Sequence, residues 1–490
     1  MTDRTVSLQL CGATLLGAYT ATLVTKAVWN TFFSPLASFP GPRFAAISDL
    51  WSELHGLRFR RVMAIDEAHQ KYGDVVRIGP NRLAFADGEA AREIYRSHNY
   101  LKSSWYDFFT FGGRENTFCT KDPLYHAKAR RWSAPAFRGD NLRRSTEALR
   151  EEMIDLVDRI KCDSAGGKPV DVLHLFRLLS LDILGITVFG TRFEQMKSGQ
   201  NHPFTEYLDR WLVDKALSQY LPRAFNWLLR RLPIPQLQRI FAADPAMFAL
   251  GEQMYDTAGN LAAGADIVTM CKAYRDPMTG EPAPRAQIVT EAAVFIGAGT
   301  DSTSIALTYL AYELALTERF SEEIHKELAQ LSDAQSYDVD ALKALPYLNA
   351  FIKEVLRVHG PAPGFFERVV PRGGAYLAGR FIPGGTIVGA QAWTFHRSQD
   401  LFPDPLSVSP ERWVERSNGA WVNKTLPAEV HNAFFPFGQG VRACVGRPLA
   451  EMELLLVTAT IVRNFRLTRH KSTTDVSMRP IDLAVVGPRP

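Results

Sequence analysis

The sequence predicts a mainly α-helical fold with a small β region, built as one large domain behind a short apolar N-terminal segment. Three observations carry this. Residues 147–356 place apolar side chains mostly at helical period, broken by loops at residues 164–167 and 276–280. The strand-like runs are short: residues 75–78, 82–85 and 386–388, the last behind a Pro-Gly-Gly turn. No repeat, low-complexity block or polar linker divides the 490 residues, so one body is favoured although length alone would allow about two to four.

Composition narrows the class. A hydrophobic share of 46% beside 22% charged residues is that of a globular chain and excludes wholesale disorder. The formal net charge of +4 is small for this length and makes no case for nucleic-acid binding. The five cysteines, Cys11, Cys119, Cys162, Cys271 and Cys444, are odd in number, scattered and free of any CxxC pair. Neither a disulfide framework nor a zinc ribbon has that form, and the body is expected in a reducing compartment. Each cysteine is by default a small buried hydrophobe.

From the N-terminus, residues 5–25 carry no charge and include Val6, Leu8, Leu10, Leu15, Leu16, Leu23 and Val24. As a helix they would span roughly 31 Å, close to the hydrocarbon thickness of a bilayer. A cleaved signal peptide is the competing reading, with Ala18 and Ala21 near its end. The unpaired cysteines favour a retained anchor over residues 1–26. Residues 34–42 hold three prolines and a glycine, which cannot continue a helix. Residues 27–43 are therefore expected as a stiff connector, and residues 44–490 as the soluble body.

The longest helical period covers residues 285–317, about 50 Å if unbroken. Inside it lie Ala298, Gly299, Thr300, Asp301, Ser302 and Thr303, and Asp301 is the only charged residue between Ala292 and Tyr312. An acid in such surroundings is costly unless it is paired or used. Gly297 and Gly299 leave room for a ligand or a break in the hydrogen-bond ladder; the other reading is a groove that receives a neighbouring helix. Further on, Glu354 and Arg357 share one helical face at a spacing of three. Alone that pair is commonplace, but its helix is apolar and Pro410-Glu411-Arg412-Trp413 follows.

The most specific segment runs from Phe434 to Arg447 and contains Phe437, Gly438, Gly440, Arg442, Cys444 and Gly446. A helical run follows over residues 448–462, with Pro448 suited to its first turn. Cys444 thus precedes a helix N-terminus, where free amide N–H groups and the helix dipole favour a thiolate. Gly440 and Gly446 permit tight turns and the close approach of a planar group. Arg442 is placed to pair with a carboxylate, and Phe437 to shield the sulfur. Five fixed residue types in FxxGxRxCxG match by chance in a chain of this length on the order of one time in ten thousand.

That pattern, complete from Phe437 to Gly446, resembles the haem-binding loop of the cytochrome P450 family. The resemblance extends from Pro40 to near the C-terminus through four ordered motifs. It implies the cytochrome P450 fold, with haem b (iron protoporphyrin IX) held by the Cys444 thiolate as axial ligand, and Phe437, Gly440 and Arg442 in the haem loop. It makes Glu354, Arg357 and Arg412 a structural network on the haem side. It makes Asp301 and Ser302 the catalytic pair that relays protons during dioxygen activation. Here the chain departs from the family: Ser302 stands where a threonine is usual, and serine is less restrained at χ1. Thr303 lies about 100° further round the helix and is a poor direct substitute. By the same resemblance His126, Arg130 and Arg368 fall where the family places partners of the haem carboxylates, the alternative being solvated surface charges.

The implied activity is that of a haem-thiolate monooxygenase, hydroxylating or epoxidising a hydrophobic small molecule, in the manner of microsomal enzymes of fungal secondary metabolism. The alternatives are oxidative coupling, ring formation or rearrangement without net oxygen insertion and, from another class, a non-catalytic haem sensor or membrane scaffold. The implied partners are O2, an apolar substrate, the membrane and an NADPH–cytochrome P450 reductase, no fused flavin domain following Cys444. Lys128, Arg131, Arg138, Arg143 and Arg144 offer that reductase a basic face, or form an ordinary solvated one. Trp105, Tyr106, Phe108, Phe109, Phe111 and Phe118 fall in the loop the family lays over the haem, and Ala293, Ala298, Ala362, Phe365 and Phe366 are further candidate lining. Residues 211–248 are a candidate substrate entrance on the bilayer. The implied location is the endoplasmic reticulum membrane, with one N-terminal span and a cytosolic catalytic domain.

Overall fold

The structure, a computed structural model, describes residues 2–221, 223–259, 266–483 and 485–488. Helix α1 (Thr2–Val28) continues through a π-helical turn at Trp29–Phe33, so the helical path passes the expected boundary at residue 26. Ser34 ends it by turning to extended backbone. The connector that follows is not a free spacer. Leu36 and Phe39 are buried in the main core, and Arg77, itself buried, donates to the carbonyls of Asn30 at 2.8 Å, Gly79 at 3.3 Å and Pro80 at 2.7 Å. A guanidinium satisfied by carbonyls near a helix C-terminus fixes where that helix leaves the body.

The sheet is small, as the short strand-like runs predict. Five strands, β1 (Val75–Gly79), β2 (Arg82–Phe85), β3 (Leu101–Lys102), β4 (Arg368–Val369) and β5 (Ile387–Gly389), are ordered β1-β2-β5-β4-β3. Only β2 and β5 run parallel, Leu83 opposite Val388; the other neighbours are antiparallel. Helix α2 (Gly88–Arg96) follows β2, its first turn capped by Asp87, whose carboxylate accepts from the Ala90 amide at 2.7 Å.

The helices that frame the site are α3 (Pro123–Ser133), α4 (Val172–Leu184), α5 (Pro203–Tyr220), α6 (Arg285–Leu316), α7 (Pro346–His359) and α8 (Arg447–Asn464). Each of α3, α5, α7 and α8 opens with proline in its first turn, where the missing N–H costs nothing. The long helix α6 is unbroken and packs along α4. A Cβ on Gly299 would stand 3.0 Å from both Leu184 methyls, so this glycine is a packing groove for α4 and not a ligand space. Of the two readings of the glycines, helix packing holds at Gly299. Residues 172–189 are long and apolar enough to cross a membrane, yet 78% of that stretch is buried, which makes it a core helix.

Candidate active site

Cys444 sits in a loop that turns twice through positive φ, at Gly438 (+73°) and Gly440 (+66°), conformations that glycine adopts without steric cost. The Cys444 amide donates to the Phe437 carbonyl at 2.9 Å. Its sulfur lies at the N-terminus of α8, where the backbone amides of Gly446 and Arg447 favour its charged form. Burial pushes the thiol up, and those two amides with Arg130 and Arg447 oppose that shift. The sulfur has open surface and yet is desolvated; both hold for a group that lines an internal hollow. Gly440 makes the tight turn expected of it and also lies close against backbone: a Cβ there would stand 2.7 Å from Arg96 Cα at the end of α2. The Phe437 ring lies 5.5 Å from the Arg447 guanidinium.

Basic side chains gather beside this loop. His126 and Arg130 come from α3, Lys102 from β3, Arg368 from β4 and Arg442 from the loop itself. Arg368 donates to the Tyr106 hydroxyl at 3.1 Å and the Glu367 carbonyl at 2.9 Å, Arg442 to the Thr117 carbonyl at 3.3 Å, and Lys102 to the Phe118 carbonyl. These partners are neutral oxygens; among the described residues none of these cations has a carboxylate within ion-pair distance. Burial pushes Arg442 down to about 10, with Arg368 adding to it. Burial likewise lowers His126 to about 3, with Arg442 and Arg130 next in effect. Lys102 falls well below the ordinary lysine range from burial and then from Arg368 and Arg442. A cavity of about 50 Å³ runs beside them, lined by His126, Arg368, Val441 and Arg442 and by Ser97 and Pro123. The motif residues His126, Arg130, Arg368 and Arg442 are thus brought together, and Lys102 joins them. Sequence reasoning missed Lys102 because a lysine before an aromatic run reads as a solvated charge.

Behind the loop the Glu354 network closes on itself. Glu354 and Arg357 are fully buried and joined by two bonds of 2.7 and 2.9 Å. Arg412 Nε donates to Glu354 at 2.9 Å, as do the Trp413 indole at 2.9 Å and the Ser409 amide at 3.1 Å. The remaining N–H groups of Arg357 reach the carbonyls of His396 at 2.6 Å, Pro405 at 2.7 Å and Ser407 at 3.0 Å. All five donors of that guanidinium are used.

On α6, Ala298 and Ser302 have open surface one turn apart while Thr303 is packed away. Ser302 Oγ donates to the Ala298 carbonyl at 2.7 Å, leaving its lone pairs to accept. Asp301 is not free: Arg177 of α4 holds it at 3.1 Å and holds Asp209 of α5 at 2.6 Å. Burial raises the Asp301 carboxyl, and Arg177 opposes that shift. Sequence reasoning found the acid and missed its arginine, which lies 124 residues away. The aromatic loop forms a cluster: Trp105 with Tyr106 and Phe109, Phe109 with Phe118, and Phe111 stacked on Trp211 of α5 at 4.3 Å. Tyr106, Phe109 and Phe111 are buried, and Phe111 and Leu208 close over Gly297. Two lining candidates fall elsewhere, Ala293 being fully packed and Phe365 belonging to a cluster with Ile65, Val76 and Ile78 beside the sheet.

A desolvated thiol at a helix N-terminus, flanked by arginines that form no ion pair among the described residues, fits a sulfur ligand and a cofactor bearing carboxylates. These features define the class of haem-thiolate oxidoreductases. A family model described as Cytochrome P450 matches residues 47–490. Cytochrome P450 monooxygenase stcB of Emericella nidulans is 31% identical over 95% of this chain and 89% of the relative. Cytochrome P450 monooxygenase aflV of Aspergillus parasiticus is 31% identical over 96% and 93%, and Tryprostatin B 6-hydroxylase of Aspergillus fumigatus is 29% identical over 94% and 80%. The chain belongs to the cytochrome P450 family. It is an oxidoreductase of the monooxygenase kind, dependent on cysteine-ligated haem, an electron donor, dioxygen and a hydrophobic substrate.

Proposed function

We propose that Cys444 ligates the haem iron and that the enzyme hydroxylates or epoxidises a hydrophobic small molecule in secondary-metabolite biosynthesis. The observation that carries this is Cys444 itself, set by the Gly438–Gly440 turns and its amide bond to the Phe437 carbonyl just before the head of α8. The bound haem supplies the redox-active iron, with thiolate donation favouring O–O cleavage. Arg130, Arg368, Arg442, His126 and Lys102 would hold its carboxylates. Asp301, desolvated and tethered by Arg177, binds a proton more readily than an ordinary carboxyl, and the open Ser302 hydroxyl passes protons onward. Phe111 and Leu208 pack over Gly297 on α6 and present an apolar surface to the substrate side. Tryprostatin B 6-hydroxylase bears a hydroxylase name, which favours insertion over coupling.

In this reading α1 anchors the protein in the endoplasmic reticulum membrane, presenting Leu16, Tyr19, Leu23 and Val24 to lipid; these side chains are exposed. Exposed Phe225, Trp227, Leu228 and Ile234, with Arg230 and Arg231 beside them, rest on the same surface. The exposed face of Lys128, Arg131, Arg138, Arg143 and Arg144 receives an NADPH-dependent reductase. Turnover under labelled dioxygen with that reductase tests the reaction: label in the product is expected, and an oxidised product without label would overturn insertion. A Ser302→Ala variant is expected to release more peroxide at the expense of product, and unchanged coupling would remove Ser302 from the relay. A Cys444→His variant that kept a thiolate-type carbonyl spectrum would overturn the ligand assignment.

A further inference from the structure

The Glu354 network and the cysteine loop are separate in sequence and meet through one side chain. His396 is fully buried and grips Arg357 twice. Its own carbonyl accepts from Arg357 Nη1 at 2.6 Å, and its ring Nδ1 lies 3.1 Å from the Arg357 carbonyl. The other ring nitrogen, Nε2, lies 3.1 Å from the backbone nitrogen of Phe435. The partners fix the tautomer. A carbonyl oxygen only accepts, so Nδ1 carries the proton; an amide N–H only donates, so Nε2 is the acceptor. Burial, with Arg397 and Arg357 adding to it, pushes this imidazole down to about 3, so both bonds persist at any working pH.

Phe435 is the hinge of the cysteine loop. Its carbonyl accepts from the Gly438 amide at 3.0 Å across the first positive-φ turn, and the Phe437 carbonyl then takes the Cys444 amide at 2.9 Å. Its ring is edge-on to Phe395 and His396, while Phe434 stacks on His396 with centroids 5.4 Å apart. Aromatic packing and the Phe434 amide, which donates to the Val430 carbonyl at 3.1 Å, hold the residue before it, while the Phe435 amide is held by His396.

We propose that His396 is a positioning residue for the cysteine ligand: through the Phe435 amide it transmits the fixed geometry of Arg357 to the loop that aims the Cys444 sulfur. The proposal rests on Cys444 being the haem ligand. Without the acceptor the Phe435 N–H is buried and unsatisfied, the loop gains freedom to turn, and the sulfur leaves its axial position more often. The fold itself, held by the Glu354 network, remains.

Three forms of the full-length haem-loaded protein test this. His396→Phe keeps the aromatic packing and removes the acceptor; His396→Gln restores an acceptor at the same reach. On mild warming, His396→Phe is expected to convert from a thiolate-type to a thiol-type carbonyl spectrum about tenfold faster than wild type, the factor that one orphaned buried amide supports. His396→Gln is expected to recover most of that. Hydrogen exchange over residues 434–438 is expected to accelerate in His396→Phe while exchange in α7 stays unchanged. Equal conversion rates and equal exchange in all three forms would overturn the proposal, as would a His396→Gln variant as labile as His396→Phe. If His396→Phe does not accumulate, His396→Gln against His396→Leu carries the same comparison. A wild-type protein with no thiolate-type spectrum would instead refute Cys444 as ligand, and the exchange measurement would still judge His396.

Discussion

Two groups of buried charge lie on either side of the cysteine loop, and they differ in one respect. Around Glu354 every charge is answered within the protein: one carboxylate takes Arg357, Arg412, Trp413 and the Ser409 amide. Around Arg442 the basic groups Lys102, Arg130, Arg368 and Arg442 form no ion pair among the described residues and hydrogen-bond only to neutral oxygens, with the buried Glu291 carboxyl the acid nearest in effect to Lys102 and Arg130. The first arrangement minimises its own energy and has nothing left to bind. The second is destabilised until an anion arrives. A closed network holds the fold, and a mainly basic one without ion pairs is suited to a charged ligand.

The comparison can be broken most directly at Glu354. Glu354→Ala leaves Arg357 buried without its carboxylate and is expected to cost about 3–5 kcal/mol in denaturant unfolding of the haem-free protein; a loss below about 1 kcal/mol would deny the closed network its role. The open cluster should answer in the opposite way. Arg368→Met and Arg442→Met are each expected to weaken haem retention about ten- to a hundredfold, as loss of a charged hydrogen bond does, while the haem-free protein melts no lower than wild type. A haem-free variant that melts well below wild type would show that these arginines serve the fold after all.

Acidity sharpens the contrast further. The unfolded chain protonates its histidines below about pH 6.5, whereas folded His126 stays neutral to about pH 3, through burial first and the facing arginines second. Between those values the unfolded state binds more protons, so haem-free stability falls as pH drops through that window. Carboxylates bound at this cluster would raise His126 again, and the loaded protein is then expected to lose less stability over the same range. His396, which titrates equally low, contributes alike to both forms. Matching pH–stability slopes with and without haem would contradict an anion at the cluster. The smallest effect belongs to Trp413→Phe, which removes one of several donors to Glu354 and should cost about 1 kcal/mol by denaturant unfolding.

Much of the site was legible in the sequence because its motifs are local. The FxxGxRxCxG loop, the three-residue spacing of Glu354 and Arg357, and the long apolar period that became Arg285–Leu316 are patterns of neighbours along the chain. Adjacency also placed Cys444 before a helix and Asp301 in apolar surroundings. Other features were not legible. Lys102 reads as a surface charge and is buried, and Gly299 reads as ligand space or as a groove for a neighbouring helix until Leu184 is seen to fill it.

By itself the sequence determined the helical class, the order of the elements, the sulfur and the acid. Only the tertiary structure decided which charges find partners. Arg177 reaches Asp301 across 124 residues, Trp413 reaches Glu354 across 59, and His396 reaches Phe435 across 39. The physical reason is that a helix or a tight turn is set by interactions a few residues apart. Whether a buried charge is answered depends instead on the path of the whole chain, which brings distant groups within hydrogen-bond reach or leaves a cation waiting for a ligand.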